Sequence, residues 1–229
     1  MTQRSILFDF DGVIVNSDDF NIAGLRHASK CVDVPFEDRD FERFFSGKRL
    51  AEGASDYLAH RNRTSRTTDF VLAKKDFDRQ YLDYAQPYPQ VLRIVKELAD
   101  EFQIGLVTGS RRVLVDMFVH THGLSSTFDF IVAAEDVTKG KPNPDPYLQA
   151  LEYCWPNLPD EVIAVEDSPA GVTAAKTAGL TCLAIATTHS ASQLLEADLV
   201  AMTTDCLKPL LRADRETVRK IVQAQYWQD

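Results

Sequence analysis

Two aspartates one residue apart, Asp9 and Asp11, stand in the segment Ile6-Leu7-Phe8-Asp9-Phe10-Asp11-Gly12. A carboxylate can attack phosphorus and form an acyl phosphate, and a second carboxylate close by can carry a proton. Three further clusters complement the pair: Thr108-Gly109-Ser110, Lys139-Gly140-Lys141-Pro142 and Glu166-Asp167-Ser168. They offer a hydroxyl with backbone N–H groups, an ammonium, and hard carboxylate oxygens, which suit a phosphoryl group and a divalent cation. Each cluster also has an ordinary structural reading. The aspartates could be a solvated strand-end turn, Thr108 a helix N-cap, and Glu166 and Asp167 caps of a helix beginning near Pro169.

The elements that must position these residues show in the apolar pattern. Short apolar runs recur at Ile6–Phe8, Ile104–Val107, Phe130–Ala133, Val162–Val165, Cys182–Ile185 and Leu199–Met202. Continuous runs of this length are expected of strands buried on both faces of a parallel sheet. Helical spacing appears at Val91, Leu92, Val95 and Leu98; at Val113, Val115, Phe118 and Val119, closed by Gly123; over Tyr147–Tyr153; and over 169–178, closed by Gly179. Strand–helix alternation predicts an α/β fold with a doubly wound, mostly parallel, Rossmann-like sheet. The four clusters then fall at or just beyond strand carboxyl ends, where open parallel sheets bind ligands.

Residues 16–86 read differently. They hold no convincing strand, helix-like stretches such as Phe70–Tyr84, and polar breaks at Ser46-Gly47 and around Asn62-Arg63-Thr64-Ser65. The expected organisation is an α/β core of residues 1–15 and 87–229 with a helical insertion over 16–86.

Composition narrows the partners. The 229 residues are 45% apolar and carry a formal net charge of −9. Such a balance disfavours a nucleic-acid backbone or an anionic membrane as partner. The four cysteines, Cys31, Cys154, Cys182 and Cys206, form no C-x-x-C pair and are expected to be reduced core residues. With neither a secretory leader nor an apolar run of membrane-spanning length, the expected location is the cytoplasm, and the expected state a monomer or weak homodimer. His120 and His122, two apart on a helix, do not face one another and are expected to be structural.

Asp-Phe-Asp-Gly-Val, Thr108, Lys141 in Gly-Lys-Pro and Glu166-Asp167, in this order and with a helical insertion after the first motif, resemble the haloacid dehalogenase-like hydrolases. The likeness is greatest to the branch with β-phosphoglucomutase and phosphoglycolate phosphatase. The resemblance implies phosphoryl transfer with Mg²⁺. Asp9 is then the nucleophile and a metal ligand. Asp11 is the acid/base residue and lends its carbonyl to the metal, and Asp167 is a further ligand. Glu166 binds the metal directly or through water. Thr108, Gly109, Ser110 and Lys141 hold the transferring oxygens, and Lys139 is a solvated neighbour.

The insertion would act as a cap over the site. Asn16, Ser17 and Asn21 follow the first motif closely enough to face the cleft, and Ser46-Gly47-Lys48-Arg49 resembles the family's specificity loop. Lys48 or Arg49 could meet a second polar group of the substrate, or form a solvated pair of charges. Asn21 stands where β-phosphoglucomutase has a histidine, which weakens a mutase assignment. The expected activity is hydrolysis of a small phosphomonoester, such as a sugar phosphate. The alternatives are a phosphosugar mutase and a non-catalytic phosphate-binding protein.

Overall fold

The structure, a computed structural model, describes residues 4–45, 48–213 and 217. In chain order the strands are β1 (Ser5–Phe8), β2 (Val15–Asn16), β3 (Gln86–Pro87), β4 (Gln103–Val107), β5 (Phe130–Val132), β6 (Ile163–Glu166), β7 (Thr181–Ile185) and β8 (Leu199–Ala201). The six expected apolar runs pair in parallel as β5-β4-β1-β6-β7-β8, with β1 between β4 and β6.

Period-2 alternation explains why these runs are continuously apolar. Ile6 and Phe8 of β1, Ile104 and Leu106 of β4, and Ile163 and Val165 of β6 enter one core layer. Leu7, Val107 and Ala164 enter the layer on the opposite face. Both faces are therefore dry, and helices cover each. Beginning with the inserted segment, the helices are α1 (Asp18–Cys31), α2 (Asp38–Asp40), α3 (Leu50–His60), α4 (Thr67–Phe77), α5 (Tyr81–Tyr84), α6 (Pro89–Leu98), α7 (Arg112–Thr121), α8 (Asp145–Tyr153), α9 (Pro169–Thr177) and α10 (Leu207–Arg212). Residues of α6, α7 and α10 fill the first layer, and residues of α8 and α9 the second. Gly123 and Gly179, just past α7 and α9, take φ of +62° and +85°, the left-handed conformation that ends helices.

Between β2 and β3 the described residues form only helical elements and turns. They have a core of their own, in which Leu25 and Ala28 of α1 meet Phe44, Phe45, Tyr57, Leu58 and Phe70. Where the chain leaves and re-enters the sheet domain, β2 and β3 form an antiparallel ribbon, with Val15 opposite Pro87 and Asn16 opposite Gln86. Two residues per strand are too short to show a hydrophobic period, so the sequence pattern does not reveal the ribbon.

Three expectations change in detail. The stretch Phe70–Tyr84 is not one helix: α4 ends at Phe77, and a 3₁₀ turn over Asp78–Gln80 precedes α5. Val113 is exposed, and α7 buries Leu114 instead, with Val115, Phe118 and Val119. Cys154 and Cys182 are buried as expected, but Cys31 and Cys206 are exposed. Ser46, Gly47 and Trp227 lie outside the described residues.

Candidate active site

The site is built from five strand ends. β1 leads directly into Asp9, whose backbone N–H still pairs with Val165 O at 2.9 Å. Phe10 then turns into the core, fully buried and edge-on to Phe118 with ring centroids 5.2 Å apart. This anchor leaves the flanking Asp9 and Asp11 on the open side, where both line one cleft. Gly12 has φ +76°, and a Cβ there would collide with the Asp167 carboxylate. Only glycine meets both demands, the left-handed turn and the close approach.

Asp11 is held by three hydroxyls. Ser17 Oγ donates to Oδ1, Ser110 Oγ donates to Oδ2 at 2.5 Å, and Thr108 Oγ1 lies 3.5 Å from Oδ2. Thr108 Oγ1 also accepts from the Ser110 N–H at 2.9 Å. Thr108 is thus a turn residue and not the N-cap of α7, which is Arg111. One expected phosphate donor, the Ser110 N–H, is committed to Thr108. Gly109 faces open space, with no atom within 4 Å of where a Cβ would stand.

Lys141 joins the acidic side. Its Nζ lies 2.9 Å from Asp9 Oδ1, donates to Glu166 Oε1 at 2.6 Å and donates to Val107 O at 3.0 Å. Lys139 is exposed. Glu166 is fully buried and engaged at both oxygens. Oε1 also accepts from the Tyr147 hydroxyl at 2.5 Å, and Oε2 lies 3.3 Å from the Asp167 N–H and 3.5 Å from Ser168 Oγ. Neither Glu166 nor Asp167 caps α9; Ser168 does, its Oγ accepting from the Gly171 N–H at 3.0 Å.

The loop after β7 supplies residues that the motif reading missed. Thr187 Oγ1 donates to Gly12 O at 2.6 Å, and Thr188 Oγ1 donates to Asp167 Oδ2. His189 Nδ1 lies 3.1 Å from Asp167 O. The signal was present: Thr187-Thr188-His189 follows an apolar run, and ligands gather beyond the carboxyl ends of such strands.

Asp9, Glu166 and Asp167 each place a carboxylate oxygen within 4.8 Å of the others, and all three are buried. Burial, then the Glu166 charge, pushes the Asp9 carboxyl up to about 8, with Lys141 opposing. Burial, then Asp9 and Glu166, raises Asp167 well above the usual carboxylate range. Burial pulls Lys141 down, but Asp9 and Glu166 more than offset it, so the ammonium is held above its ordinary value. One ammonium facing three buried carboxylates leaves negative charge uncompensated, and hard oxygen donors in that arrangement fit a divalent cation such as Mg²⁺.

The insertion forms the opposite wall of the cleft. Asn21 lines it, whereas the buried Ser17 is spent on Asp11. Lys48 and Arg49 also line it, but each has a partner. Lys48 Nζ pairs with Asp56 at 2.8 Å on the surface. Arg49 reaches across to the lysine-bearing loop, donating to Thr138 O at 2.8 Å and Val137 O at 3.3 Å. Arg49 is thus tied to the core loop, whereas the exposed Lys48 pair is a weak one that leaves its ammonium further donors. Asn16 accepts from the Asp18 N–H at 3.4 Å, at the start of α1.

Comparison with known proteins agrees with this geometry. The family model described as haloacid dehalogenase-like hydrolase matches residues 6–185. The chain is 31% identical over 200 residues to validoxylamine A 7'-phosphate phosphatase of Streptomyces hygroscopicus subsp. limoneus, covering 85% of this chain and 91% of that one. It is 28% identical over 226 residues to β-phosphoglucomutase of Bacillus subtilis, covering 94% and 97%. Among solved structures, a haloacid dehalogenase-like family hydrolase from Streptococcus pneumoniae superposes with a TM-score of 0.78 at 20% identity, over 92% of this chain and 99% of that one. CbbY from Rhodobacter sphaeroides, in complex with phosphate, superposes with a TM-score of 0.76 at 22% identity, over 88% and 95%. Carboxylates, lysine and hydroxyls converging at the strand ends, together with the match over most of the chain, establish that this protein belongs to the haloacid dehalogenase-like hydrolase family.

Proposed function

We propose that the protein is a Mg²⁺-dependent phosphatase that hydrolyses a small phosphomonoester through an aspartyl-phosphate on Asp9. The observation that carries this is the convergence of Asp9, Asp11, Thr108, Lys141 and Asp167 on a single cleft of about 270 Å³. Residues 16–86 act as a cap over a core of 1–15 and 87–229, and the β2–β3 ribbon is the double crossing between them.

The positions support the following steps. The free Asp9 oxygen attacks phosphorus, while Lys141, at its other oxygen, fixes the rotamer. Asp11, steadied by Ser17 and Ser110, gives its proton to the leaving oxygen and later takes one from the water that opens the acyl phosphate. Thr108 Oγ1, the Gly109 N–H and Lys141 hold the transferring oxygens. Asp9, Asp167 and the Asp11 carbonyl would hold Mg²⁺, which supplies charge neutralisation between phosphate and carboxylates. Glu166, with both oxygens engaged, orients Lys141 and contributes to the cation site by its charge.

The test is turnover of a generic aryl phosphate with Mg²⁺ present. Asp9→Asn is expected to lower kcat by at least about a thousandfold, as loss of a covalent nucleophile does; near wild-type turnover in that variant excludes the mechanism. The relative from Bacillus subtilis supports a second reading, a phosphosugar mutase. It requires a bisphosphate activator and gives isomerised instead of hydrolysed product.

A further inference from the structure

The turn over 10–15 carries Asp11 away from β1 and into β2, and its backbone is tied on both sides. Within it, the Ile14 and Val15 N–H groups donate to Phe10 O at 2.8 and 3.0 Å, and the Gly12 N–H donates to Val15 O at 2.8 Å. From outside, the Tyr88 N–H donates to Ile14 O at 3.0 Å, and Thr187 Oγ1 donates to Gly12 O at 2.6 Å. Gly12 follows Asp11 directly, so the Thr187 hydroxyl grips the backbone beside the proposed acid/base group.

Thr187 is a firm point from which to hold that turn. Its own N–H donates to Ile185 O at 2.9 Å, and the Ala186 N–H donates to Ala201 O at 3.0 Å. Ile185 is the last residue of β7, which pairs with β6 as far as Ala184 opposite Glu166. The hydroxyl therefore stands on the sheet itself, next in sequence to Thr188, which holds Asp167. Gly12 approaches the Asp167 carboxylate so closely that a Cβ would strike it. Consecutive hydroxyls at one strand end thus fix the turn on one side and the carboxylate on the other. Thr187 does not itself line the cleft that holds Asp9 and Asp11, so it acts through Gly12 and not on substrate.

We infer that Thr187 is a positioning residue for the proton transfers of Asp11. The inference rests on the phosphatase reading. In the first step an oxygen of Asp9 bonds to phosphorus as the ester bond from phosphorus to oxygen breaks. The electron pair goes to the leaving oxygen, which takes the Asp11 proton and departs as an alcohol or phenol. Ser17 and Ser110 fix the Asp11 carboxyl, but a side chain is placed no better than the backbone that bears it. A shift of about 1 Å at a reacting group can cost about 10²-fold in rate. Without the hydroxyl, the carbonyl of the buried Gly12 loses this partner, and the turn is free to move toward another.

The leaving group separates proton delivery from every other effect. kcat/KM is measured with saturating Mg²⁺ on phenyl phosphate, whose phenolate leaves poorly without a proton, and on 4-nitrophenyl phosphate, whose leaving group needs little protonation. Thr187→Val, which keeps the shape, is expected to lower kcat/KM about thirtyfold on phenyl phosphate and less than about threefold on 4-nitrophenyl phosphate. Thr187→Ala gives the same split, so the test survives a valine variant that does not fold. Thr187→Ser keeps the hydroxyl and stays within about threefold of wild type on both esters. Asp11→Asn shows the same inequality, and adding Thr187→Val to it brings no further selective loss, because the two act as a unit. An equal loss on both esters marks Thr187 as merely structural and overturns the inference. So do unchanged rates in Thr187→Val, or a selective loss that persists in full in the Asp11→Asn background. A wild-type protein that hydrolyses no phosphomonoester refutes the phosphatase reading and this role with it, whereas an active wild type with an equal loss refutes this role alone.

Discussion

Lys141 Nζ lies 2.9 Å from Asp9 Oδ1, and both side chains are almost wholly removed from solvent. A buried ion pair of this kind contributes through what is lost when one member goes. Lys141→Met leaves Asp9 and Glu166 facing each other without their ammonium. Activity should fall by about 10²–10³, as on removal of one preorganised donor to a developing oxyanion. Steady-state kinetics on an aryl phosphate checks this. Lys141→Arg should rescue little, because a planar guanidinium cannot reach Asp9, Glu166 and Val107 O from one point.

Thr188 donates to the Asp167 carboxylate and so aims one side of the proposed cation site. Thr188→Val keeps the shape and removes the hydroxyl. The Mg²⁺ concentration giving half-maximal protection in a thermal-shift titration should rise about tenfold, the usual scale for a residue that orients a metal ligand. Thr188→Ser should restore most of the wild-type value.

Tyr147 donates to Glu166 Oε1 from a fully buried position. Tyr147→Phe leaves a buried carboxylate short of one hydrogen bond. Stability should drop by about 1.5–3 kcal/mol, the range for a hydrogen bond to a charged group. Urea denaturation in the presence of Mg²⁺ measures it.

Without metal, stability should depend on pH in a stated direction. Asp9 is raised from 3.8 to about 8 in the folded protein. A carboxyl raised on folding binds its proton more tightly in the native state, so its contribution is complete below the unfolded value and is lost as pH climbs to the folded one. Asp167 shifts in the same direction. The thermal midpoint in chelator should therefore fall between pH 4 and pH 8, the window set by the Asp9 values. Added Mg²⁺ should flatten the slope and protect most at the high end. A midpoint in chelator that rises across this window would refute the electrostatics described for the site.

The sheet and its ligand-bearing edge were legible because both are local. An apolar run of three or four residues ending in Asp, Thr or Glu-Asp states a strand and its carboxyl end together. The cap's contacts were not legible. Lys74 and Asp78 stand four apart in the sequence, and only tertiary packing shows that both are buried, that Phe20 and Gly24 lie against Lys74, and that Arg111 arrives at Asp78 from the core. Likewise Arg49 reads as a free cation in a loop, and it is the fold that brings Val137 and Thr138 carbonyls to it. Thr187 and Thr188 fall between these cases, since their strand was evident and their hydroxyl chemistry is common enough to pass unnoticed.

The covalent role of Asp9 is tested most directly by trapping the intermediate. Enzyme with Mg²⁺ is mixed with excess phosphomonoester, quenched in acid within the first turnovers, digested and analysed by mass spectrometry. The expected result is one phosphoryl group on the peptide that contains Asp9, localised to Asp9, absent in Asp9→Asn and accumulating when Asp11→Asn slows its hydrolysis. Phosphate found on another residue, or substrate hydrolysed at wild-type rate by Asp9→Asn with no phosphorylated peptide, would contradict it.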